Sequence, residues 1–309
     1  MKEEFAYNKL NITMICEYYG VSRQAYYKSE KTYLKNQIDR EKLLMIINSA
    51  RKVLPREGGH KLYRRIKPEL KLADLKIGRD KLFCFLREED LLVKPRRSYV
   101  VTTNSFHRFR TYKNLISEFI PTAINQVWVT DITYIRTING FMYLALITDA
   151  YSRKIVGYDV SDSLELAGCL RALKMAMKTL PENHQLIHHS DRGIQYCSNV
   201  YTKQLIQRGV KISMAAKGNC YENAMAERVN GILKDEFYLD INFNSKTNAI
   251  KACSQAIELY NKVRTHMSIN YLTPSQKHNQ CVIKKLVDSK KKTRKKKKYI
   301  TNKTKLLYV

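Results

Sequence analysis

The sequence is short of acidic residues, of paired cysteines and of long apolar runs, and each shortage excludes something. Its 309 residues hold 28 Asp and Glu against 56 Lys and Arg, a net charge of +28. Small domains usually stay within about 2–8 charges of neutrality, so this excess predicts a polyanionic partner, either nucleic acid or an anionic membrane surface. The longest apolar run near the centre, 141–147, is far shorter than the roughly 20 residues of a membrane span. The polar N-terminus does not resemble a secretory signal.

The seven cysteines are scattered singly, and none belongs to a C-x-x-C motif. An odd, unpatterned set of this kind fits reduced thiols in a cytoplasmic protein. The adjacent histidines His188 and His189 are not followed by a cysteine pair, so we expect no zinc site. Hydrophobic residues make up 44% of the chain, which is enough for a folded core in about two domains. We therefore predict a cytoplasmic protein.

The positive charge is concentrated in two segments. Residues 51–113 and residues 284–309 each carry a net charge of +11, whereas 120–280 carries only +5. The lysine run KKKTRKKKK at 290–298 is compatible both with a solvated tail and with phosphate contacts. The chain is thus predicted to be a mildly basic body with two strongly basic appendages.

Two pairs of amphipathic helices are predicted in the first third of the chain. Residues 12–28 indicate helix, turn and helix, with Ser22 as the N-cap of the second helix. Residues 60–90 repeat the theme, with apolar stripes opposite basic faces. Arg64 and Arg65 on such a face are our candidates for phosphate contact. The helix-turn-helix signal is weak by itself, because many helix pairs that do not bind DNA look alike.

From residue 125 onward the pattern is that of strands followed by alternating helices and strands. Asn139 and Gly140 mark a hairpin between two segments rich in β-branched and aromatic residues. Strands are predicted at 127–137, 141–151, 154–161, 185–191 and 211–216, and helices at 164–180, 198–208 and 222–238. The predicted fold class is α/β: a ribonuclease-H-like mixed five-stranded sheet flanked by helices, preceded by small all-α helix-turn-helix modules.

Three acidic residues could meet at one point of this sheet. Asp131 lies in the first strand, Asp191 ends the fourth, and Glu227 lies in the last predicted helix. Asp191 could instead simply cap a turn. A purely structural role is less favoured for Asp131, because an unpaired carboxylate inside an apolar strand is costly. Spacing alone leaves the helix residue open, because three other acids compete with Glu227: Glu222, Asp235 and Glu236.

Three motifs, WVTDITYI, HSDRGIQY and GNCYENAMAERVNGILKDE, resemble the catalytic core of DDE transposases and retroviral integrases. The 35 residues between Asp191 and Glu227 match the D-35-E spacing of that superfamily. The segment YNKVRTH-x₆-TP at 260–274, YGVSRQAYYK and the basic helices of 60–97 resemble bacterial insertion-sequence transposases of the two-frame (OrfB) type. Two departures are Glu222, where the family commonly has Asp, and Gly59-His60, where it has Tyr-Gly.

The resemblance implies a DNA strand transferase. It implies that Asp131, Asp191 and Glu227 are catalytic and hold Mg²⁺ or Mn²⁺, as two ions, without ATP. A 3′-OH freed at an element end would then attack a second phosphodiester. The implied partners are element and target DNA, further copies of the same chain, and an upstream-frame (OrfA-type) protein, with no membrane partner. The implied location is the nucleoid of a bacterial cytoplasm.

The remaining predictions concern DNA contacts and structural roles. Asp149 and Trp128 are expected to be structural. Lys217 and Lys234 could meet phosphates or lie in solvent, and Arg264 and His266 could contact DNA or brace the core. The complete set of DNA-contact candidates is Arg64, Arg65, Lys217, Lys234, Arg264 and His266.

We predict five segments and keep two rival functions open. A nuclease of the same fold would share the acids, and a catalytically silent DNA-binding or repressor protein would need only the basic regions. The segments are a helix-turn-helix-like part (1–50), a basic helical DNA-binding module (51–93), a basic linker (94–119), an integrase-like catalytic core (120–280) and a Lys-rich tail (281–309).

Overall fold

The computed structural model describes residues 12–93, 109–216 and 223–280. Two compact units divide these residues: 12–53 together with 57–93 form the helical unit, and the rest form the sheet unit. Predictions for Lys217, Glu222 and the Lys-rich tail therefore lie outside the described residues. Within the described part of the chain, no helix is both long and apolar enough to cross a bilayer.

The helical unit contains four helices, and its first turn follows the sequence prediction. Gly20 adopts a φ of +65°, a left-handed conformation that glycine adopts easily. The Ser22 hydroxyl accepts a hydrogen bond from the Ala25 backbone N–H at 3.1 Å, as an N-cap does. The helices are α1 (Ile12–Tyr18), α2 (Arg23–Val53), α3 (Gly59–Leu72) and α4 (Arg79–Glu88).

Helix α2 extends past residue 50, where we predicted that the first segment would end and the basic helical module would begin. Leu43, Ile47 and Ala50 on α2 are buried in one cluster with residues of α3 and α4. The apolar stripes predicted on those two helices supply the other side of this core. The two predicted modules are therefore one compact unit, because the end of α2 packs against both later helices. The buried stripe residues are Leu62, Ile66, Leu70, Leu82, Phe85 and Leu86.

The sheet unit is built on five strands in the order β3-β2-β1-β4-β5. The first three are antiparallel neighbours, while β4 lies parallel to both β1 and β5. This is the ribonuclease-H-like mixed sheet that the strand order predicted. The strands are β1 (Val127–Thr137), β2 (Gly140–Asp149), β3 (Ile155–Ser161), β4 (Ile187–Ser190) and β5 (Lys211–Met214).

Helices cover both faces of the sheet. A hydrophobic cluster lies on each face. Successive residues of β2 point to opposite faces, so Ala145 and Ile147 belong to the first cluster, and Leu144 and Leu146 belong to the second. Trp128 is fully buried in the first cluster, as predicted. The helices are α5 (Leu166–Met177), α6 (Ile194–Cys197), α7 (Asn199–Gln207), α8 (Ala224–Glu236) and α9 (Lys246–Lys262). The sequence analysis placed neither α6 nor α9.

Candidate active site

Asp131 lies on a stretch of β1 that has a strand on one side only. Strand β4 pairs with β1 at Val127–Val129, and the next backbone pairing on that edge is between Thr137 and Phe243. The edge between these two points faces helix α8. Asp131 is half-buried there, and its Oδ2 accepts a hydrogen bond from the Asn230 amide at 2.8 Å.

Asp191 follows directly after β4, the strand that runs parallel to β1. Its Oδ1 accepts a hydrogen bond from the backbone N–H of Gly193 at 3.0 Å. The parallel register pairs Val129 with His189, and its continuation brings Asp131 opposite Asp191, so the two aspartates come together there, as the sequence predicted. The turn cap that we considered as an alternative role for Asp191 is therefore present in addition to its place near Asp131.

Glu227 lies in the first turn of α8, on the helix side that also carries Asn223 and Asn230, and the residue is exposed. Along this face Asn223 donates to the Thr130 carbonyl at 3.4 Å, and Asn230 donates to Asp131. Further along, the Lys234 Nζ lies 4.3 Å from the centre of the Tyr134 ring. Successive residues of this set are four, three and four positions apart, which places all of them along one side of the helix. The set is Asn223, Glu227, Asn230 and Lys234.

Burial and mutual repulsion favour the protonated forms of Asp131 and Glu227. Burial, and after it the charges of the neighbouring Asp191 and Glu227, raises the pKa of Asp131 to about 7, against the hydrogen bonds from Ile132 and Asn230. Burial and then Asp191 also raise the pKa of Glu227. The pKa of Lys234 is lowered, mainly by burial and against the pull of Asp131. The three carboxylates are thus close enough to interact electrostatically.

A cavity of about 540 Å³ opens beside the two aspartates. Asp131 and Asp191 both line it, and its wall continues along β1 and β2 over aromatic side chains. Arg136 lines the same wall and is exposed. The cavity therefore offers acidic, aromatic and cationic groups to one ligand.

Within the described ranges, no three His, Cys, Asp or Glu side chains converge closely enough to enclose an ion. The histidine pair is buried and engaged elsewhere: His188 Nε2 lies 3.0 Å from the Tyr201 hydroxyl, and His189 Nδ1 lies 2.8 Å from Ser213 Oγ. Burial lowers the pKa of His188 to about 3, so this imidazole is neutral. Both histidines act as parts of the core.

Asp149 has the structural role predicted for it. Its side chain is fully buried, and its two oxygens accept three hydrogen bonds, each 2.7 Å long, from the Asn125 N–H and from the N–H and hydroxyl of Ser152. The Ser152 hydroxyl also lies 3.0 Å from His278 Nδ1. These contacts close the end of β2 and leave no place for a ligand at this carboxylate.

Comparison with known proteins decides the family. The profile described as "Integrase core domain" matches residues 121–220, and a second profile of the same description matches 208–274. The chain is 38% identical to the insertion element IS600 31 kDa protein of Shigella sonnei, over 84% of this chain and 96% of that protein. It is 34% identical to the transposase InsF of insertion sequence IS3A of Escherichia coli, over 63% of this chain and 68% of that protein.

The chain belongs to the insertion-sequence transposases of the integrase superfamily. It is thus a DNA transposase, a protein of DNA recombination and a polynucleotidyl transferase by family. Among solved structures, the catalytic core domain of HTLV-2 integrase in complex with magnesium is similar, with a TM-score of 0.41 and 20% identity. That likeness covers 51% of this chain and 98% of that core.

Three of the DNA-contact candidates of this transposase have structural partners in the interior. The Arg264 guanidinium is buried and donates two 2.7 Å hydrogen bonds to the Glu236 carboxylate. His266 is buried, with its ring 5.0 Å from that of Tyr260. Arg65 donates to the buried Glu57 carboxylate at 2.7 Å and to the Ala50 carbonyl at 2.8 Å. Of the two alternatives for Arg264 and His266, the structure favours the brace.

The other described candidates remain accessible. Arg64 is exposed on α3, and the exposed Lys67 and Lys71 lie on the same helix. Lys234 is half-buried beside the acids. Arg64 and Lys234 are thus accessible to a phosphate, whereas Arg65 and Arg264 form ion pairs with Glu57 and Glu236.

Sequence reasoning missed the aromatic wall of the cavity. The wall consists of side chains that alternate along β1 and pair across to β2, with Tyr134 opposite Tyr143 and Arg136 opposite Phe141. An available signal was the repeat of large aromatic residues at every second position in strands predicted to have one covered face. Nothing in the sequence indicated that this end of the face is left uncovered.

Proposed function

We propose that this transposase cuts one DNA strand at each end of its element and joins the freed 3′-OH to target DNA, using Asp131, Asp191 and Glu227 as its catalytic acids. The observation that carries the proposal is the pairing of Asp131 and Asp191 in one cavity, with the pKa of Asp131 raised to about 7. Strongly perturbed carboxylates in a cleft are typical of catalytic sites.

The acids fit a divalent metal by donor type and by charge. Carboxylate oxygens are the ligands that Mg²⁺ and Mn²⁺ prefer, and a cation would relieve the repulsion that raises the pKa of Asp131 and of Glu227. The described side chains place Asp131 and Asp191 at the cavity, while Glu227 interacts with them only through its charge. We expect Glu227 to complete the site when two ions are bound.

Bound Mg²⁺ or Mn²⁺ would supply charge neutralisation for the attacking and leaving oxygens of a phosphodiester. The chain itself orients the acids: Asn230 fixes one oxygen of Asp131, and the Gly193 N–H fixes one oxygen of Asp191. In the first step a water oxygen forms the new P–O bond and the 3′ oxygen leaves. In the second step that 3′-OH replaces another 3′ oxygen, so one ester bond is exchanged for another and ATP is not required.

Binding of element ends is proposed for the helical unit, whose exposed basic residues include Arg64. Lys234 would contact a phosphate near the acids, and the Lys-rich tail would add contacts that do not depend on sequence. Because each active site serves one strand at a time, two ends require a multimer of this chain. An upstream-frame partner and a nucleoid-associated cytoplasmic location remain predictions that none of these findings tests.

A strand-transfer assay on the element's terminal DNA tests the proposal. We expect joined products with Mg²⁺ or Mn²⁺ in the absence of ATP, and no products in excess chelator. The folded protein should survive chelation, with a lower melting temperature than in the presence of metal, because metal bound only to the native state stabilises it.

The rival functions give different products in the same assay. A nuclease would cut terminal and random DNA alike and leave nothing joined, whereas a repressor would bind the ends without cutting them. Strand transfer that persists in excess chelator would contradict the metal-dependent mechanism.

A further inference from the structure

The cavity beside the acids continues over a group of aromatic side chains on β1 and β2: Tyr134, Phe141 and Tyr143, here called the aromatic ledge. Phe141 is 51% exposed although it sits on a strand of the central sheet. Its ring meets that of Tyr134 edge-on, with the ring centres 5.4 Å apart. One exposed aromatic ring flanked by two half-buried ones, all lining a cavity that also contains acidic residues, points to a ligand with a flat apolar face.

Two cations flank the aromatic ledge. The Lys234 ammonium lies 4.3 Å from the Tyr134 ring centre, a cation–π distance, and reaches it from α8. The exposed Arg136 pairs across the hairpin with Phe141 and lines the same cavity. A ligand that satisfies both features carries a flat ring and negative charge, and a nucleotide has both.

We propose that the aromatic ledge binds an unstacked nucleobase of the DNA strand whose phosphate lies at the acids. Inside a duplex the faces of each base are covered by its neighbours, so exposed aromatic rings can take only a base that has left the stack. The transposase would thus act on ends whose terminal bases are unpaired. The inference rests on the proposed function, since it assumes that the scissile phosphate lies at Asp131 and Asp191.

The dimensions agree with a base a few nucleotides from the cut. At about 3.3 Å per residue, Tyr134 and Arg136 lie roughly 10 and 17 Å along β1 from Asp131. A stacked DNA strand advances about 3.4 Å per nucleotide and an unstacked one advances further, so the aromatic ledge lies within about five nucleotides of the acids. The cavity of about 540 Å³ is within the usual range for sites that hold small ligands.

Binding of the full chain to two DNA probes tests the proposal. One probe is a random-sequence duplex with blunt ends, and the other is the same duplex with a short unpaired tail containing 2-aminopurine, whose fluorescence falls on stacking. We expect about tenfold tighter binding of the tailed probe and quenching in the complex. Phe141→Ala should remove both effects, and Phe141→Trp should retain them.

Ile206→Ala, which removes another exposed apolar side chain of the sheet unit, is the matched control and should behave as the unchanged protein. Equal affinity of the unchanged protein for both probes, without quenching, would overturn the proposal even if Phe141→Ala failed to fold. Equal weakening of both probes by Phe141→Ala would overturn it as well. A change of oligomeric mass with unchanged DNA binding would instead identify the aromatic ledge as a protein contact.

The same preparations distinguish this inference from the proposed function. Strand transfer that fails while the preference for the tailed probe persists contradicts the proposed function alone. Normal strand transfer by a protein without that preference contradicts the aromatic ledge alone.

Discussion

Two carboxylates on neighbouring strands of the sheet have opposite surroundings. Asp149, at the end of β2, is fully buried and receives three hydrogen bonds of 2.7 Å. Asp131, on β1, receives one side-chain hydrogen bond and faces two other acids, and its pKa rises to about 7. Backbone and side-chain donors of the fold thus compensate the charge of Asp149, whereas the charge of Asp131, beside the cavity, is poorly compensated. Chemistry that needs a cation is expected at the second place, not the first.

The largest expected effect is the loss of activity in Asp131→Asn. The amide oxygen can still accept the hydrogen bond from Asn230, and the repulsion from Asp191 is removed, so stability should not fall. Strand transfer should fall by more than about 1000-fold, since changes to mere neighbours of metal ligands already cost about 10- to 100-fold. Strand-transfer rates and thermal melting check both parts. An active variant, or one that melts early, would break the contrast with Asp149.

Arg64 and Arg65 of α3 provide a second pair of neighbours in which we expect one residue to stabilise the fold and the other to bind DNA. Arg65→Gln should lower the free energy of unfolding by about 3–5 kcal/mol, because it removes the cation from the fully buried Glu57. Arg64→Gln at the exposed neighbour should cost much less stability and should weaken binding to element ends. Urea unfolding and DNA titration of both variants separate the two roles. Similar stability losses in both would show that Arg64 is also structural.

Asp149→Asn should have the reverse phenotype of Asp131→Asn. An amide would place its NH₂ group against one of the N–H or O–H donors that now meet Asp149. Each buried donor left unpaired costs about 1–3 kcal/mol, so stability should fall while strand transfer per folded molecule is retained. Urea unfolding gives the stability and the folded fraction. Retained stability with lost activity would reverse the assignment of the two carboxylates.

The smallest predicted effect is a pH dependence of stability in metal-free protein. A raised pKa means that ionising Asp131 disfavours the folded state, so stability is greatest at low pH and falls as pH rises from about 3.8 to about 7. Asp131 is only half-buried, so we discount the full pKa difference and expect its contribution to be a fall of a few degrees in melting temperature. Melting curves in chelator, compared with those of Asp131→Asn, isolate this part. Identical slopes for the two proteins would contradict the raised pKa.

The sequence predicted the sheet well because its strands have strong local signals. The hairpin of β1 and β2 has a matching turn at Gly140, with a φ of +110°, and all five strands lie within or close to the predicted bounds. The helix-turn-helix at Ser22 was also confirmed. Helix α9 was missed although its cap, Ser245, accepts a hydrogen bond from Asn248. Several buried positions of α9 hold small residues such as Ala249 and Ala256, which weakens the helical periodicity of large apolar residues in the sequence.

The site was only partly predictable, since a side chain's role depends on partners distant in sequence. Arg264 could not be assigned without Glu236, which lies on another helix 28 positions earlier. The resemblance to integrases, not spacing, led us to predict Glu227 over the competing acids, and its catalytic role stays a prediction. By contrast, the aromatic ledge depends on which end of a sheet face the helices leave uncovered, and that is a property of packing.

The choice between Glu227 and Glu222 in one strand-transfer assay tests the central claim most directly. Glu227 is the acid with the weakest geometric support, and Glu222 lies only five residues before it in the same motif. We predict that Glu227→Gln abolishes cleavage and joining of terminal DNA while binding the ends nearly normally, and that Glu222→Gln is much milder. An active Glu227→Gln together with an inactive Glu222→Gln would contradict the account.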